Sequence, residues 1–259
     1  MNKLIKRRID DIINWMQEYK DETSCKGVVL GLSGGKDSTV VAMLSKLVFG
    51  DEVLAIIMPN GVQKDISDAI NVAETLGIKY KIVNIETTFN NLVLNIESKV
   101  ENGDWVENCC KISEKALTNI APRLRMTTLY AVAQTLGYRV IGTGNASERA
   151  IGWFTKYGDG GCDFNPIGER VCSEVVEMGI ELCKQFGLDT ALITKTPADG
   201  LTGKSDEDNF GFTYKQLDSY LLDGTSGNVD IDMKISKLRK LSRHKLRTPY
   251  VPIDRKSVV

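Results

Sequence analysis

The stretch VVLGLSGGKDSTVVAM, residues 28–43, decides the fold. An apolar, β-branched run leads into a turn with two adjacent glycines, and a helix is predicted from about Ser38. A strand that passes into a helix through such a turn places backbone N–H groups and the positive end of a helix dipole at the carboxyl edge of a sheet. The sequence therefore predicts a phosphate-binding loop at this turn.

The loop carries a lysine and an aspartate side by side, Lys36 and Asp37. It is not a Walker A loop, because residue 30 is leucine and no Ser or Thr follows the lysine. The lysine can bind phosphate directly, whereas a carboxylate repels phosphate unless a cation lies between them. The pair therefore predicts Mg²⁺ on a pyrophosphate, and a glycine turn with two surface charges is the alternative. The predicted phosphate-binding residues of the loop are Gly31, Leu32, Ser33, Gly34, Gly35, Lys36, Asp37 and Ser38.

Strand-like and helix-like runs alternate along the chain. Apolar segments at 27–32, 52–58, 80–85 and 138–144 are typical of strands that are covered on both faces. Residues 64–77 have apolar side chains at helical spacing and end at a glycine. Residues 101–115 and 198–211 are polar and are predicted to be long loops. We predict a doubly wound α/β fold, with a mostly parallel sheet and helices on both faces, in a single domain over residues 1–259.

Composition excludes several partners. The net charge of −1 provides no basic field for nucleic acid or an anionic membrane surface, so we expect neither partner. The first 16 residues have the spacing of an amphipathic helix rather than of a signal peptide, and no apolar run is long enough to cross a membrane. The six cysteines form no CxxC pair, so reduced thiols in the cytoplasm are expected.

The segment SGGKDS, residues 33–38, resembles the PP-loop of ATP pyrophosphatases, a loop that several activities share. Five further blocks make nearly the whole chain similar to ammonia-dependent NAD synthetase. They are NIAPRLRM (119–126), GTGNASE (142–148), GWFTKYGDGGCDFNPIG (152–168), DEDNFGFTY (206–214) and HKLRTP (244–249). The resemblance implies an adenine nucleotide alpha hydrolase-like fold, a homodimer, and ATP-dependent amidation of deamido-NAD by ammonia through a nicotinyl adenylate, with release of AMP and pyrophosphate.

The resemblance also implies roles for individual residues. The resemblance makes loop residues 31–38 and Thr143 ATP contacts, with Lys36 and Asp37 as catalytic residues. Glu148 would join Asp37 as a Mg²⁺ ligand. The residues implied to bind deamido-NAD are Arg123, Lys156, Asp163, His244 and Lys245. From the residues alone, three alternatives stay open. They are an acidic helix start around Glu148, a surface loop at 154–163, and an exposed or helix-capping histidine. Arg125 is two positions from Arg123, so on a helix it points elsewhere, and a structural ion pair is expected for it.

Two positions depart from the family pattern. Cys172 stands where the family usually has a lysine that contacts ATP phosphates, and Ala198 stands where it has Ser or Thr. Arg170 or a lysine such as Lys204 is a candidate to replace the missing charge, and Lys195 remains. The departures leave a non-catalytic or altered-substrate nucleotide-binding homologue as an alternative.

A tRNA-modifying PP-loop enzyme is a weaker alternative. Such an enzyme needs a basic appendage or catalytic cysteines, and Cys109 and Cys110 are adjacent. The nearly neutral charge and the lack of a visible RNA-binding module argue against it.

Overall fold

A four-stranded parallel sheet lies at the centre of the molecule, which the computed structural model describes over residues 3–62, 66–97, 111–195 and 205–247. The strands are β1 (Val28–Gly31), β2 (Val53–Ile57), β3 (Lys79–Ile82) and β4 (Arg139–Val140), in the order β3-β2-β1-β4. All three strand pairs are parallel, as predicted. The chain builds outward from β1 to β3 and then places β4 on the other side of β1. The carboxyl ends of β1 and β4 therefore form the switch point at which such sheets bind ligands.

Eleven α-helices are present in the described residues. They are α1 (Lys3–Glu22), α2 (Lys36–Phe49), α3 (Ile66–Thr75), α4 (Glu86–Glu97), α5 (Glu114–Leu136), α6 (Ala146–Ile151), α7 (Cys172–Phe186), α8 (Ala191–Thr194), α9 (Asp206–Phe210), α10 (Tyr214–Asp223) and α11 (Val229–Ser242), and a 3₁₀ turn follows at Arg243–Leu246. No helix in these ranges has the length and hydrophobicity that a membrane span requires.

Helices cover both faces of the sheet, which confirms the doubly wound prediction. Successive residues of a strand point to opposite faces. Val28 and Leu30 of β1 accordingly pack with α1, α2, α3, α7 and α8. Val29 packs on the other face, with α5 and with Phe89 of α4.

A third apolar cluster, formed by α6, α9, α10, α11 and the start of α7, lies beside the sheet. At its centre the Phe210 ring meets Trp153 edge-on at 4.7 Å and Tyr214 at 5.5 Å between ring centroids. Buried Asp218 on α10 accepts hydrogen bonds from Ser147 Oγ at 2.5 Å and from the Ser173 N–H at 2.7 Å. A buried carboxylate with two donors thus fixes α6 and α7 against α10.

Several boundaries differ from the sequence prediction. Strand β3 is Lys79–Ile82 rather than 80–85, β4 is Arg139–Val140 rather than 138–144, and α5 begins at Glu114, within the predicted loop 101–115. Helix α2 begins at Lys36 rather than near Ser38, so the paired charges lie in its first turn. Residues 206–210, predicted as loop, form α9, because Ser205 and Asp208 make a capping box in which each side chain accepts a hydrogen bond from the other's N–H. The loop predictions for residues 101–110 and 198–204 lie outside the described residues.

Candidate active site

The loop after β1 has a tightly bonded backbone. The Leu32 N–H donates to Ile56 O at 3.0 Å, and the Gly35 N–H donates to Ser33 Oγ at 3.2 Å. Ser33 Oγ and Ser38 Oγ lie 3.0 Å apart and share a hydrogen bond. The N-cap of α2 is Gly35, which has no side chain to cap the helix, so first-turn N–H groups are left for an anion.

A glycine is required where this loop passes α3. Gly34 has φ +77°, and a Cβ at this position would lie 2.7 Å from the Ala69 N and 2.9 Å from the Asp68 Cβ. Any larger residue would push the loop away from α3. The start of α3 therefore forms one wall of the loop.

Lys36 is buried at the end of this loop, with its ammonium directed at a carboxylate. Its Nζ donates to Asp37 Oδ2 at 2.7 Å and lies 5.2 Å from the centroid of the Tyr214 ring. Burial by itself would lower the pKa of Lys36, but the charges of Asp37 and Glu148 outweigh it and raise that pKa. The side chain therefore stays cationic.

The turn after β4 forms the opposite wall. Asn145 caps α6 by accepting a hydrogen bond from the Glu148 N–H at 3.0 Å, and the Glu148 carboxylate accepts one from the Asn145 N–H at 3.2 Å. The Asn145 Nδ2 also donates to Asp37 Oδ1 at 3.0 Å. Thr143 lies in the same turn, two residues before Asn145. One amide thus joins the two strand ends of the switch point.

Asn145 was missed by the sequence analysis, although its signal was present. An asparagine followed three residues later by glutamate is the spacing of a capping box, and GTGNASE contains it. Its bond to Asp37 could not be predicted, because it depends on how two distant segments meet.

Asp37 and Glu148 form a pair of carboxylates beside the lysine. Burial raises the pKa of Glu148 to about 8, the negative charge of Asp37 adds to the rise, and Lys36 opposes it. In the described part of the chain no three His, Cys, Asp or Glu side chains cluster as a metal site. Two hard oxygen donors suit Mg²⁺, which binds one or two carboxylates and completes its shell with phosphate oxygens and water. The residues thus fit this ion.

The predicted dinucleotide-binding cations form a second cluster. The Arg123 Nε donates to Lys156 O at 3.4 Å, and the Lys156 Nζ donates to His244 O at 2.8 Å. His244 is exposed in the 3₁₀ turn, with its Nδ1 3.0 Å from Leu241 O. This cluster lies at the carboxyl end of α6, and the first lies at its amino end. Six helical residues span about 9 Å.

Lys245 belongs to the same cluster but has partners in its own chain. Its Nζ donates at 2.7 Å to both Gly152 O and Phe154 O. Partial burial lowers the pKa of Lys245, and Asp159 opposes that shift. The lysine therefore holds the end of α6 and the start of the glycine loop together.

Two residues are placed differently from what was expected. The Asp163 carboxylate accepts hydrogen bonds from the Val140 N–H at 2.7 Å and the Tyr130 hydroxyl at 3.3 Å, so it pairs with the backbone of β4. The expected ion pair of Arg125 is wrong for the described residues, since its Nε donates to Met58 O at 2.9 Å. Helix α5 directs Arg125 at the end of β2, where a carbonyl needs a donor.

A cavity of about 230 Å³ opens beside Lys36. It is lined by Lys36, Cys172, Val176, Ile193, Thr194, Lys195, Glu207 and Tyr214. Burial raises the pKa of Cys172 to about 12, so this thiol is neutral. Of the candidates to replace the missing charge, Arg170 is not in this lining and Lys204 lies outside the described residues.

A parallel sheet with a glycine-rich loop, a lysine and two carboxylates at its switch point defines a nucleotide-binding α/β protein of the PP-loop class. The family model described as NAD synthase matches residues 8–249, and the chain belongs to this family. The resemblance to ammonia-dependent NAD synthetases is therefore confirmed.

Individual relatives agree with the family assignment. The chain is 41% identical over 248 residues to the NH(3)-dependent NAD(+) synthetase of Carboxydothermus hydrogenoformans, which covers 95% of this chain and 97% of that protein. A structure of NMN synthetase from Francisella tularensis matches with TM-score 0.83 and 31% identity, covering 96% of this chain and 98% of that one. The NH3-dependent NAD synthetase of Campylobacter jejuni matches with TM-score 0.73 and 27% identity, covering 96% and 99%.

The charge at Glu148 leads to a stability prediction. Because burial and then the charge of Asp37 raise the pKa of Glu148, the ionised side chain destabilises the fold, and this cost grows as the pH rises from 6 to 9. Glu148→Gln should therefore raise the Tm of metal-free protein by about 3 °C or more at pH 9, and by less at pH 6. Thermal unfolding in EDTA measures this. The exposed Glu169→Gln is the control, and equal shifts at the two pH values would contradict the assignment.

Proposed function

We propose that this chain catalyses the ATP-dependent amidation of deamido-NAD by ammonia, giving NAD, AMP and pyrophosphate. The observation that carries the proposal is the Asn145–Asp37 hydrogen bond, which brings the lysine and both carboxylates together at the switch point. The cationic cluster one short helix away suits the phosphates of a dinucleotide. The curated relatives carry the name of this activity, a ligation that forms a C–N bond.

The first step activates the substrate carboxylate, whose own leaving group would be oxide. The carboxylate oxygen attacks the α-phosphorus of ATP, and pyrophosphate departs with the electrons of the broken P–O bond. Lys36 and the first-turn N–H groups of α2, which no side chain caps, stabilise the charge that develops on pyrophosphate. Mg²⁺, when held by Asp37 and Glu148, supplies further neutralisation of that charge.

The second step forms the amide. Ammonia attacks the carbonyl carbon of the nicotinyl adenylate, AMP leaves with the electrons of the C–O bond, and the nitrogen releases a proton. AMP is a far better leaving group than oxide, so the protein contributes by orienting the two reactants and by excluding water. No covalent bond to a side chain is needed.

Binding roles are assigned from position and resemblance. Arg123, Lys156 and His244 bind deamido-NAD, and Lys245 shapes the loop around it. Asp163 accepts a hydrogen bond from the dinucleotide only if its bonds to β4 and Tyr130 rearrange. Thr143 contacts ATP from the turn after β4.

Nicotinate mononucleotide is the second candidate substrate. It carries the same carboxylate, and the structural relative with TM-score 0.83 is named an NMN synthetase. The reaction at the carboxylate would be the same for both substrates. The two substrates would differ in the half of the dinucleotide that the cationic cluster binds.

We further propose a cytoplasmic homodimer. The described cysteines, Cys25, Cys162, Cys172 and Cys183, are free thiols, which are typical of a reducing compartment. Helix α4 has no buried residue, and its Leu94 and Ile96 are 64% and 53% exposed. Such an apolar face suits a second copy of the chain.

The substrate assignment is tested by measuring AMP and pyrophosphate release from ATP and Mg²⁺. Release should require both a nicotinate nucleotide and ammonium, and glutamine should not replace ammonium, because the curated relatives are named NH(3)-dependent synthetases. Deamido-NAD should give at least tenfold higher kcat/KM than nicotinate mononucleotide. The reverse preference would select the second candidate, and binding of ATP without any release would support the non-catalytic alternative.

The dimer is tested by light scattering after gel filtration. Leu94→Asp places a charge on the apolar face of α4, so it should convert a dimer of the wild type to monomer. Leu222→Asp, at a residue that is 62% exposed on α10, is the control and should stay dimeric. A monomeric wild type or an unaffected Leu94→Asp would contradict the interface.

A further inference from the structure

The cavity beside Lys36 contains a second lysine, Lys195. The cavity lies between the phosphate loop and the helices α7, α8, α9 and α10, with the two lysines and Cys172 in its walls. If ATP binds with its phosphates on the loop, as the proposed function requires, the cavity is next to the polyphosphate. Its charges then decide how firmly the polyphosphate is held.

The charge on Lys36 is already partly matched within the chain. Its Nζ is 2.7 Å from Asp37 Oδ2, so part of the lysine's charge is offset before a ligand or a cation binds. The thiol of Cys172 is neutral, and Glu207 is the acidic residue of the lining. In the described part of the cavity wall, Lys195 is the other cation beside Lys36. Since a polyphosphate carries several negative charges, Lys195 is available to bind it.

Lys195 is positioned between the cavity and the phosphate loop. It follows α8 as its C-cap, with its N–H bonded to Ala191 O at 3.1 Å. Its Nζ donates to Asp68 Oδ2 at 2.8 Å. Asp68 contacts the loop, because a Cβ on Gly34 would lie 2.9 Å from the Asp68 Cβ.

We propose that Lys195 is a phosphate-binding residue of this site, which leaves Asp68 when ATP binds and contacts the polyphosphate from the side of α3 and α8. It supplies there the positive charge that Cys172 does not. Asp68 holds the ammonium beside the site until the ligand arrives.

The exchange of partners is favourable on simple electrostatic grounds. Both side chains of the Lys195–Asp68 pair are more than a third exposed, and ion pairs of this kind contribute little to stability. A phosphate carries more charge than a carboxylate and offers more acceptor oxygens. The lysine therefore loses little and gains a stronger partner.

The alternative is that the Lys195–Asp68 pair only holds α3 against α8. The two roles predict different changes in ATP affinity when Asp68 is substituted. If Lys195 binds phosphate, Lys195→Gln should weaken ATP binding, whereas Asp68→Asn should leave it unchanged or tighten it by freeing the lysine. If the pair is a fastening, both substitutions break the same bond and should change binding in the same direction.

Calorimetric titration with ATP, pyrophosphate and AMP in the presence of Mg²⁺ makes the test. Lys195→Gln should weaken ATP and pyrophosphate binding about tenfold or more and leave AMP binding nearly unchanged. Lys195→Arg should keep most of the affinity, and the double variant Cys172→Lys with Lys195→Gln should regain part of it. The control is Lys46→Gln, which breaks an exposed lysine–aspartate pair of 3.0 Å at the far end of α2.

The outcomes separate the inference from the proposed function. A wild type that does not bind ATP would overturn the proposed function. If the wild type binds ATP, two results would overturn the role of Lys195 alone. One is an ATP affinity of Lys195→Gln equal to that of the wild type. The other is an equal loss of ATP affinity in Lys195→Gln and Asp68→Asn.

Discussion

The hydrogen bond from Asn145 to Asp37 is the constraint on which the site depends. It joins the first turn after β1 to the first turn after β4, two segments more than 100 residues apart in the chain. Asp37 is held from two sides, by the amide of Asn145 and by the ammonium of Lys36. The Asp37 carboxylate is thus fixed at the switch point, where burial and then the charge of Asp37 raise the pKa of Glu148. The repulsion between these two nearby carboxylates favours the binding of a cation at the site.

The helical cluster beside the sheet keeps that geometry in place. Asp218 and Ser147 fix the first turn of α6, so the position of Glu148 is set by a buried network rather than by exposed side chains. Tyr214 of α10 covers Lys36 with its ring and donates its hydroxyl hydrogen bond to Asp206 at 2.9 Å. Three helices of this cluster, α6, α9 and α10, thus form walls around the phosphate loop. The same helices connect it to the cationic cluster at the far end of α6.

The sequence predicted the sheet and the loop because both depend on local patterns. Runs of β-branched residues marked the four strands, and SGGKDS marked the turn between β1 and α2. Asn145, Tyr214 and Asp218 were not found, because their roles arise from contacts between distant helices. The polar composition of the acidic segment 206–210 predicts a loop, whereas the capping box of Ser205 and Asp208 starts a short helix there. Arg125 was expected to form an ion pair, but its partner is a backbone carbonyl, a partner that no residue pattern reveals.

The central claim is that this site activates a substrate carboxylate by attaching AMP to its oxygen. The measurement is a single turnover with deamido-NAD that carries ¹⁸O in its carboxylate, together with ATP, Mg²⁺ and ammonium, followed by mass spectrometry of the products. The account predicts one ¹⁸O atom in AMP and none in pyrophosphate, and it predicts that Asp37→Asn forms labelled AMP about a hundredfold more slowly. Label in pyrophosphate or phosphate, unlabelled AMP, or an undiminished rate in Asp37→Asn would contradict it.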